Sequence, residues 1–194
     1  MNDMEIKAVY FSKGGAVNTD KTLEIAKERA KQLGIRDIVV ASTHGGTALK
    51  ASKLFKDMKA NLVAVTISDA FSKEGWVITH EERKRLEAEG IKVLTCSHAL
   101  GDGVAASMAE KHGGISMEQI VTQTLYRFSQ GMKVCVEIAL MAADAGLIGV
   151  DREVIAIAGT GEGADTAIVV KPSYPRSFPE FEIREILCKP RISL

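Results

Sequence analysis

The sequence predicts a single α/β domain over residues 1–194, with helices on both faces of a mostly parallel sheet. Short apolar runs alternate with amphipathic segments almost from end to end, which is typical of strand–helix–strand units. Neither a Pro-, Gly- or Ser-rich linker nor a repeat of 20–50 residues interrupts this alternation. Because successive elements are joined by short connections, we expect all strands to belong to one sheet.

Four strands are predicted in the first half of the chain, at residues 7–11, 37–41, 61–68 and 91–96. Three helices lie between them. The first is capped by Asn18 or Thr19 and ends at Gly34, and the second begins at Thr47. The third runs from Thr79 to residue 90, because Thr79 is followed three residues later by a glutamate in a capping-box pattern.

The second half contains further helices and three more strands. A short helix is predicted at 101–111, and a second capping box, Ser116 with Gln119, opens another helix. Residues 131–145 are apolar nearly all round, which predicts a buried helix. Strands follow at 153–158 and 167–171. After three prolines, residues 181–188 alternate as a half-exposed strand does, which predicts an antiparallel C-terminal edge of the sheet.

Composition excludes several classes of function. The 25 basic residues balance 25 acidic ones, so nothing indicates a nucleic acid or an anionic membrane as partner, and a homo-oligomer is compatible with this charge. Three distant cysteines without a CxxC pair fit reduced thiols of a cytoplasmic protein. The most apolar region, 132–150, is interrupted by Lys133, Glu137, Asp144 and two glycines, so we expect no membrane span. The four histidines are too scattered for a metal motif, and we expect no metal site.

A Ser/Thr/Gly turn joins the second strand to its helix and consists of Ser42, Thr43, His44, Gly45, Gly46 and Thr47. The first amides of a helix lack intrahelical partners, and the helix dipole favours negative charge there. With the adjacent hydroxyls, this pattern is typical of a phosphate site. The alternative is an ordinary strand-to-helix turn with a hydroxyl cap, since the spacing matches neither common nucleotide fingerprint.

Two further loops follow strands and carry candidate ligand-binding residues. The first follows strand one, suits a polar or anionic group, and contributes Ser12, Lys13, Gly14, Gly15, Asn18 and Thr19. The second joins two strands, and its three glycines indicate close approach of the backbone to a ligand; it contributes Gly159, Thr160, Gly161, Glu162, Gly163, Asp165 and Thr166. Its acidic residues suit sugar or ribityl hydroxyls, or solvent. The alternatives are a flexible capped turn and a mobile hairpin tip.

All these loops follow strands, so we expect them to gather at the carboxyl edge of the sheet, near a topological switch point. Three other residues follow strands that end at the same edge. Trp76 could cover a planar ring or anchor its loop to the core. Cys96 and His98 could form a thiolate–imidazole pair, but the sequence supplies no third orienting group, which favours a structural role.

The turn at 42–48, the strand segment 61–66 with Thr66 at its end, and the loop at 159–166 leading into 167–170 together resemble the C-terminal α/β domain of pyruvate kinase. Order and spacing agree from about residue 7 to 171. The chain is more similar still to small stand-alone archaeal and bacterial proteins of this domain type. In pyruvate kinase, such loops hold the phosphates of a sugar-bisphosphate effector, and for the stand-alone group the resemblance implies FMN in the same pocket.

FMN is therefore the expected cofactor. We expect its phosphate on Thr43 to Thr47, the loops at 12–19 and 159–166 beside the ribityl chain and ring, and Lys13 near the flavin's negative charge. The pyruvate kinase barrel needs roughly 250 residues of its own, so we expect no pyruvate kinase activity. Three functions stay open: a flavin-dependent oxidoreductase, an FMN-binding or storage protein, and a sensor of a sugar phosphate. Catalytic residues are not identified by the sequence.

Overall fold

The strands form one seven-stranded sheet in the order β1-β7-β6-β5-β2-β3-β4 in a computed structural model that describes residues 5–192. The strands are β1 Val9–Phe11, β2 Asp37–Ala41, β3 Asn61–Thr66, β4 Lys92–Thr95, β5 Val154–Ala158, β6 Thr166–Lys171 and β7 Glu182–Pro190. β6 is antiparallel to both of its neighbours, and every other pairing is parallel. The predicted mostly parallel α/β sheet is confirmed.

The described residues form six α-helices: α1 Thr19–Leu33, α2 Gly46–Phe55, α3 His80–Ala88, α4 Val104–His112, α5 Met117–Tyr126 and α6 Gln130–Asp144. α1 and α2 pack on one face of the sheet, α6 packs on the other, and α5 packs on α6. Both predicted capping boxes are present. At α3, the amide of Glu82 donates to the Thr79 hydroxyl at 3.2 Å, and the Thr79 amide donates to the Glu82 carboxylate at 2.8 Å. That backbone hydrogen bond is the main reason why the pKa of Glu82 is lowered.

The alternating side chains of β2 divide the core into two layers. Ile38 and Val40 pack with α1 and α2 on one face, whereas Val39 packs with α6 on the other. Burial of each such side chain stabilises the fold by roughly 1.5–3 kcal/mol. Ion pairs reinforce the first layer, because Lys27 and Lys31 of α1 both contact Asp57 at 2.8 Å, and these contacts lower its pKa to about 2.

The C-terminal strand is antiparallel to β6, as predicted, but it is not the outermost strand of the sheet. β1 pairs with its second half, matching Val9 to Cys188 and Phe11 to Pro190. The residues of β7 are therefore buried from Leu187 onward and exposed at its start, where β1 does not reach. β1 is also shorter than the predicted 7–11, since only three of its residues have partners on β7.

The chain reverses direction across the sheet between β2 and β5. From β2 the strands proceed outward to β3 and β4, and the chain then returns through α4, α5 and α6 to β5, on the other side of β2. α2 and α6 consequently lie on opposite faces, and a crevice forms at the carboxyl ends of β2 and β5. No helix within residues 5–192 combines the length and apolar character that crossing a bilayer requires.

Candidate functional site

A cavity of about 580 Å³ lies at this switch point, within the roughly 300–1,000 Å³ typical of small-molecule sites. Its walls come from the turn after β2, the end of β3, the loop after β4, Tyr126 at the end of α5, the first half of α6 and the loop after β5. The predicted residues that line it are Ser42, Thr43, His44, Gly46, Thr47, Thr66, Gly159, Gly161, Glu162 and Gly163. The structure thus brings together two of the three predicted loops around one space.

The turn before α2 lines this cavity and contains backbone N–H groups that the helix does not use. Gly45 adopts φ 84°, and a Cβ at this position would lie 2.9 Å from Leu86, so only glycine fits. The Ser42 hydroxyl accepts a hydrogen bond from the Ala48 amide at 3.2 Å and so satisfies one of the first amides of the helix. The amides of Gly46 and Thr47 have no acceptor among residues 5–192. These two N–H groups and the α2 dipole favour an anionic ligand.

The loop after β5 is held in shape by a buried carboxylate. Asp165 is fully buried, and its carboxylate accepts hydrogen bonds from the amides of Gly15 at 2.7 Å and Thr160 at 3.0 Å and from the Thr166 hydroxyl at 2.8 Å. The expectation that Asp165 contacts ligand hydroxyls or solvent is therefore wrong, because the side chain is buried and its carboxylate oxygens accept hydrogen bonds from within the protein. Among the acidic residues of this loop, Glu162 is the one that lines the cavity.

The loop after β1 packs against the loop after β5 and does not itself line the cavity. The Thr19 hydroxyl accepts from the Ala164 amide at 3.0 Å, and a Cβ at Gly163 would lie 2.3 Å from the same hydroxyl. The glycine at 163 thus serves packing between the two loops. The predicted residues outside the cavity lining are Ser12, Lys13, Gly14, Gly15, Asn18, Thr19, Gly45, Thr160, Asp165 and Thr166. Most of them shape the site and do not face it.

Two charged residues on α6 face the cavity and were not among the predicted site residues. Lys133 Nζ lies 2.6 Å from Glu137 Oε2, with side chains only 8% and 4% exposed. The remaining oxygen, Glu137 Oε1, accepts from the Leu100 amide at 3.0 Å. The sequence does contain a signal for them, because a Lys and a Glu four residues apart share one face of a helix that is otherwise apolar.

The loop after β4 contributes His98 to the cavity wall. Its Nδ1 lies 2.9 Å from Asp102 Oδ2, and its ring stacks on Phe71, which in turn stacks on Trp76. An orienting carboxylate for His98 therefore exists, although the sequence pattern did not reveal it. Partial desolvation raises the pKa of the Cys96 thiol, which opposes a thiolate there. Trp76 is half exposed and outside the cavity lining.

Two other polar contacts shape the site. His44 Nδ1 lies 3.2 Å from Glu82 Oε2, which links the turn before α2 to the start of α3. The Thr66 hydroxyl is buried and lies 2.5 Å from the Thr95 hydroxyl. Within residues 5–192, no group of three or more His, Cys, Asp or Glu side chains is arranged to hold a metal ion. The cavity therefore presents hydrogen-bond donors, a buried lysine and an aromatic ring to a small molecule.

Comparison with protein-family models matches residues 20–170 to the family described as pyruvate kinase, alpha/beta domain. The match covers more than three quarters of the chain. It includes the turn before α2, α6 and the loop after β5, which together form most of the cavity wall. β1 and β7, which pair with each other, lie outside the matched range.

Proposed function

The chain belongs to the pyruvate kinase alpha/beta domain family, and on that premise we propose that it binds a phosphorylated small molecule, FMN, in the cavity at the switch point of its sheet. The observation that carries this proposal is the turn before α2, where Gly46 and Thr47 line the cavity and their amides have no acceptor among the residues that the structure describes. A phosphate accepts hydrogen bonds from such amides, and the positive end of the α2 dipole attracts it.

The rest of the cavity suits a ligand longer than a phosphate ion. The exposed turn of the loop after β5, Gly161 to Gly163, lies along the wall and offers backbone groups and the Glu162 carboxylate to hydroxyls of a ribityl chain. The His98 ring offers a flat surface to a planar group. These features fit FMN better than a compact sugar phosphate, which has no planar ring.

When bound, FMN would supply the redox chemistry, and the protein would bind, orient and shield it. The amides of Gly46 and Thr47 would hold the phosphate. The buried Ser42 hydroxyl would keep the turn in shape through its bond to the Ala48 amide. The matched family is that of the α/β domain, so the function proposed for these residues is ligand binding and not the chemistry of the pyruvate kinase barrel.

The test is an absorbance spectrum of the freshly purified protein together with mass spectrometry of what heat releases. We expect flavin absorbance bands and the mass of FMN, or, for protein purified without ligand, binding of added FMN that is tighter than binding of riboflavin. A colourless protein that binds neither compound would refute the proposal. A thermal-shift screen of phosphorylated metabolites would then test the alternative, a sensor of a sugar phosphate.

A further inference from the structure

Lys133 is a buried cation that faces the cavity from the side opposite to α2. Its side chain is 8% exposed, and it belongs to a helix whose residues from Gly131 to Ala143 are otherwise almost entirely buried and apolar. An ammonium group has three hydrogens to donate, and Glu137 is the one acceptor that it contacts within the described residues. A lysine in this setting has donors left for a ligand in the cavity.

Glu137 fixes the position of this ammonium group. One carboxylate oxygen contacts Lys133, and the other accepts from the Leu100 amide, so the pair is tied to the loop after β4. A Cβ at Gly101 of that loop would lie 4.0 Å from Lys133 Nζ. The same loop carries His98, whose ring is held by Asp102 and by stacking on Phe71. A cation and a flat ring therefore border the α6 side of the cavity together.

The two sides of the cavity differ in the ligand chemistry that they suit. The turn before α2 offers backbone donors at a helix N-terminus, whereas the α6 side offers the buried Lys133–Glu137 pair, whose ammonium group has hydrogens left to donate, beside an aromatic surface. A ligand with a phosphate at one end and a planar ring with carbonyl oxygens at the other matches this division. Glu137 offsets the charge of Lys133, so what the pair offers such a ring is a hydrogen bond from the ammonium group, and inside a protein that bond becomes stronger when its acceptor carries negative charge.

We propose that Lys133 recognises the ring of the bound flavin, donating a hydrogen bond to a ring carbonyl oxygen, and that it favours the anionic reduced ring over the neutral oxidised one. This inference rests on the proposed function. It assigns to Lys133 the role that the sequence suggested for Lys13, which is exposed and does not line the cavity. The protein is then a binder selective for reduced FMN, and Lys133 determines that selectivity.

The experiment measures dissociation constants of the whole protein for oxidised FMN, for FMN reduced under anaerobic conditions, and for oxidised riboflavin. We expect the wild type to bind reduced FMN at least about tenfold more tightly than oxidised FMN, the factor that a charge-assisted hydrogen bond of about 1.5 kcal/mol supplies. In Lys133→Met this preference disappears, while the ratio of FMN to riboflavin affinity stays at the wild-type value. Lys133→Arg retains the preference.

Lys133→Met leaves Glu137 buried without its partner, which can unfold the protein. The double variant Lys133→Met/Glu137→Gln removes both charges and keeps an oxygen to accept from the Leu100 amide, and we expect it to fold and to lose the preference. Lys53→Met, at an exposed lysine of α2 outside the cavity lining, is the matched control and retains it.

The outcomes separate this inference from the proposal on which it rests. If the wild type binds FMN but shows no preference for the reduced form, or if the folded double variant keeps that preference, the role of Lys133 is refuted and FMN binding stands. If the wild type binds neither form of FMN, the proposed function fails and this inference fails with it.

Discussion

Gly46→Asp tests the phosphate position with little disturbance of the fold. Gly46 is the first residue of α2, its φ is not positive, and a Cβ there would have no atom within 4 Å. An aspartate in the first turn of a helix interacts favourably with the helix dipole and stabilises the helix by about 0.3–1 kcal/mol. We therefore expect Gly46→Asp to unfold at the same temperature as the wild type or slightly above it, in the absence of ligand.

The effect on FMN binding should be large, because the new carboxylate would lie beside the amides that hold the phosphate. Two unit charges roughly 5 Å apart, at an effective dielectric constant of about 20, repel each other by about 3 kcal/mol. The loss of affinity is then at least about 100-fold. Riboflavin lacks the phosphate, so its affinity should change by less than about threefold.

Isothermal titration of both compounds against three proteins provides the measurement: the wild type, Gly46→Asp, and Gly46→Asn as a neutral variant of the same shape. Gly46→Asn should bind FMN within a few-fold of the wild type. Equal FMN affinity for the Asp and Asn variants would show that the phosphate does not lie at α2. An equal loss of FMN and riboflavin in both variants would mean that shape at residue 46, and not charge, controls binding.

Three further predictions concern the framework of the site. Gly163→Ala should lower the free energy of unfolding, measured by urea titration, by about 2 kcal/mol or more, because its Cβ would overlap the Thr19 hydroxyl at 2.3 Å. The control is Gly161→Ala, where φ is similar but the space around the Cβ is open, and its free energy of unfolding should fall by about 1 kcal/mol. Thr79→Ala should destabilise the protein by about 1 kcal/mol by removing the cap of α3, and an unchanged denaturation midpoint would argue against that cap. The lowered pKa of Asp57 means that its ion pairs with α1 stabilise the fold above its ordinary pKa near 3.8 and are lost as pH falls toward about 2. Asp57→Asn should therefore lose stability at pH 6 and show a weaker fall in melting temperature between pH 4 and pH 2 than the wild type, whereas parallel curves would contradict the assignment.

Local sequence patterns were sufficient for most of the fold. The apolar run at 37–41 and the helical spacing after Thr47 located β2 and α2 almost to the residue, and the Thr79 and Ser116 capping boxes located the starts of two more helices. These signals are carried by residues within one or two turns of each other, so they can be recognised without knowledge of the tertiary structure.

Part of the candidate site was also predictable. The turn at 42–47 and the loop at 159–163 follow strands, so the sequence predicted that both lie at the carboxyl edge of the sheet. The pairing of β2 with β5, which only the structure shows, places them beside each other. The glycines of the second loop were a weaker guide. A Cβ at residue 159 would lie 2.6 Å from the backbone of the same loop, so internal packing already requires that glycine, although it also lines the cavity.

Which residues face the cavity was decided by tertiary structure. The Asp165 carboxylate accepts a hydrogen bond from the Gly15 amide, 150 positions away in the chain. This contact holds the loop after β1 against the loop after β5, and it engages within the protein a carboxylate that the sequence analysis had assigned to a ligand. In the sequence, Lys133 and Glu137 are only interruptions of an apolar helix. In the structure α6 lies beside the switch point, and the two residues form a buried charged pair at the cavity wall. The sequence by itself determined the order and approximate bounds of the strands and helices and which loops share an edge, because hydrophobic period and capping are local. Only the tertiary structure decided which polar groups satisfy one another and which are left for a ligand, because hydrogen bonding in a closed core depends on partners that are distant in sequence.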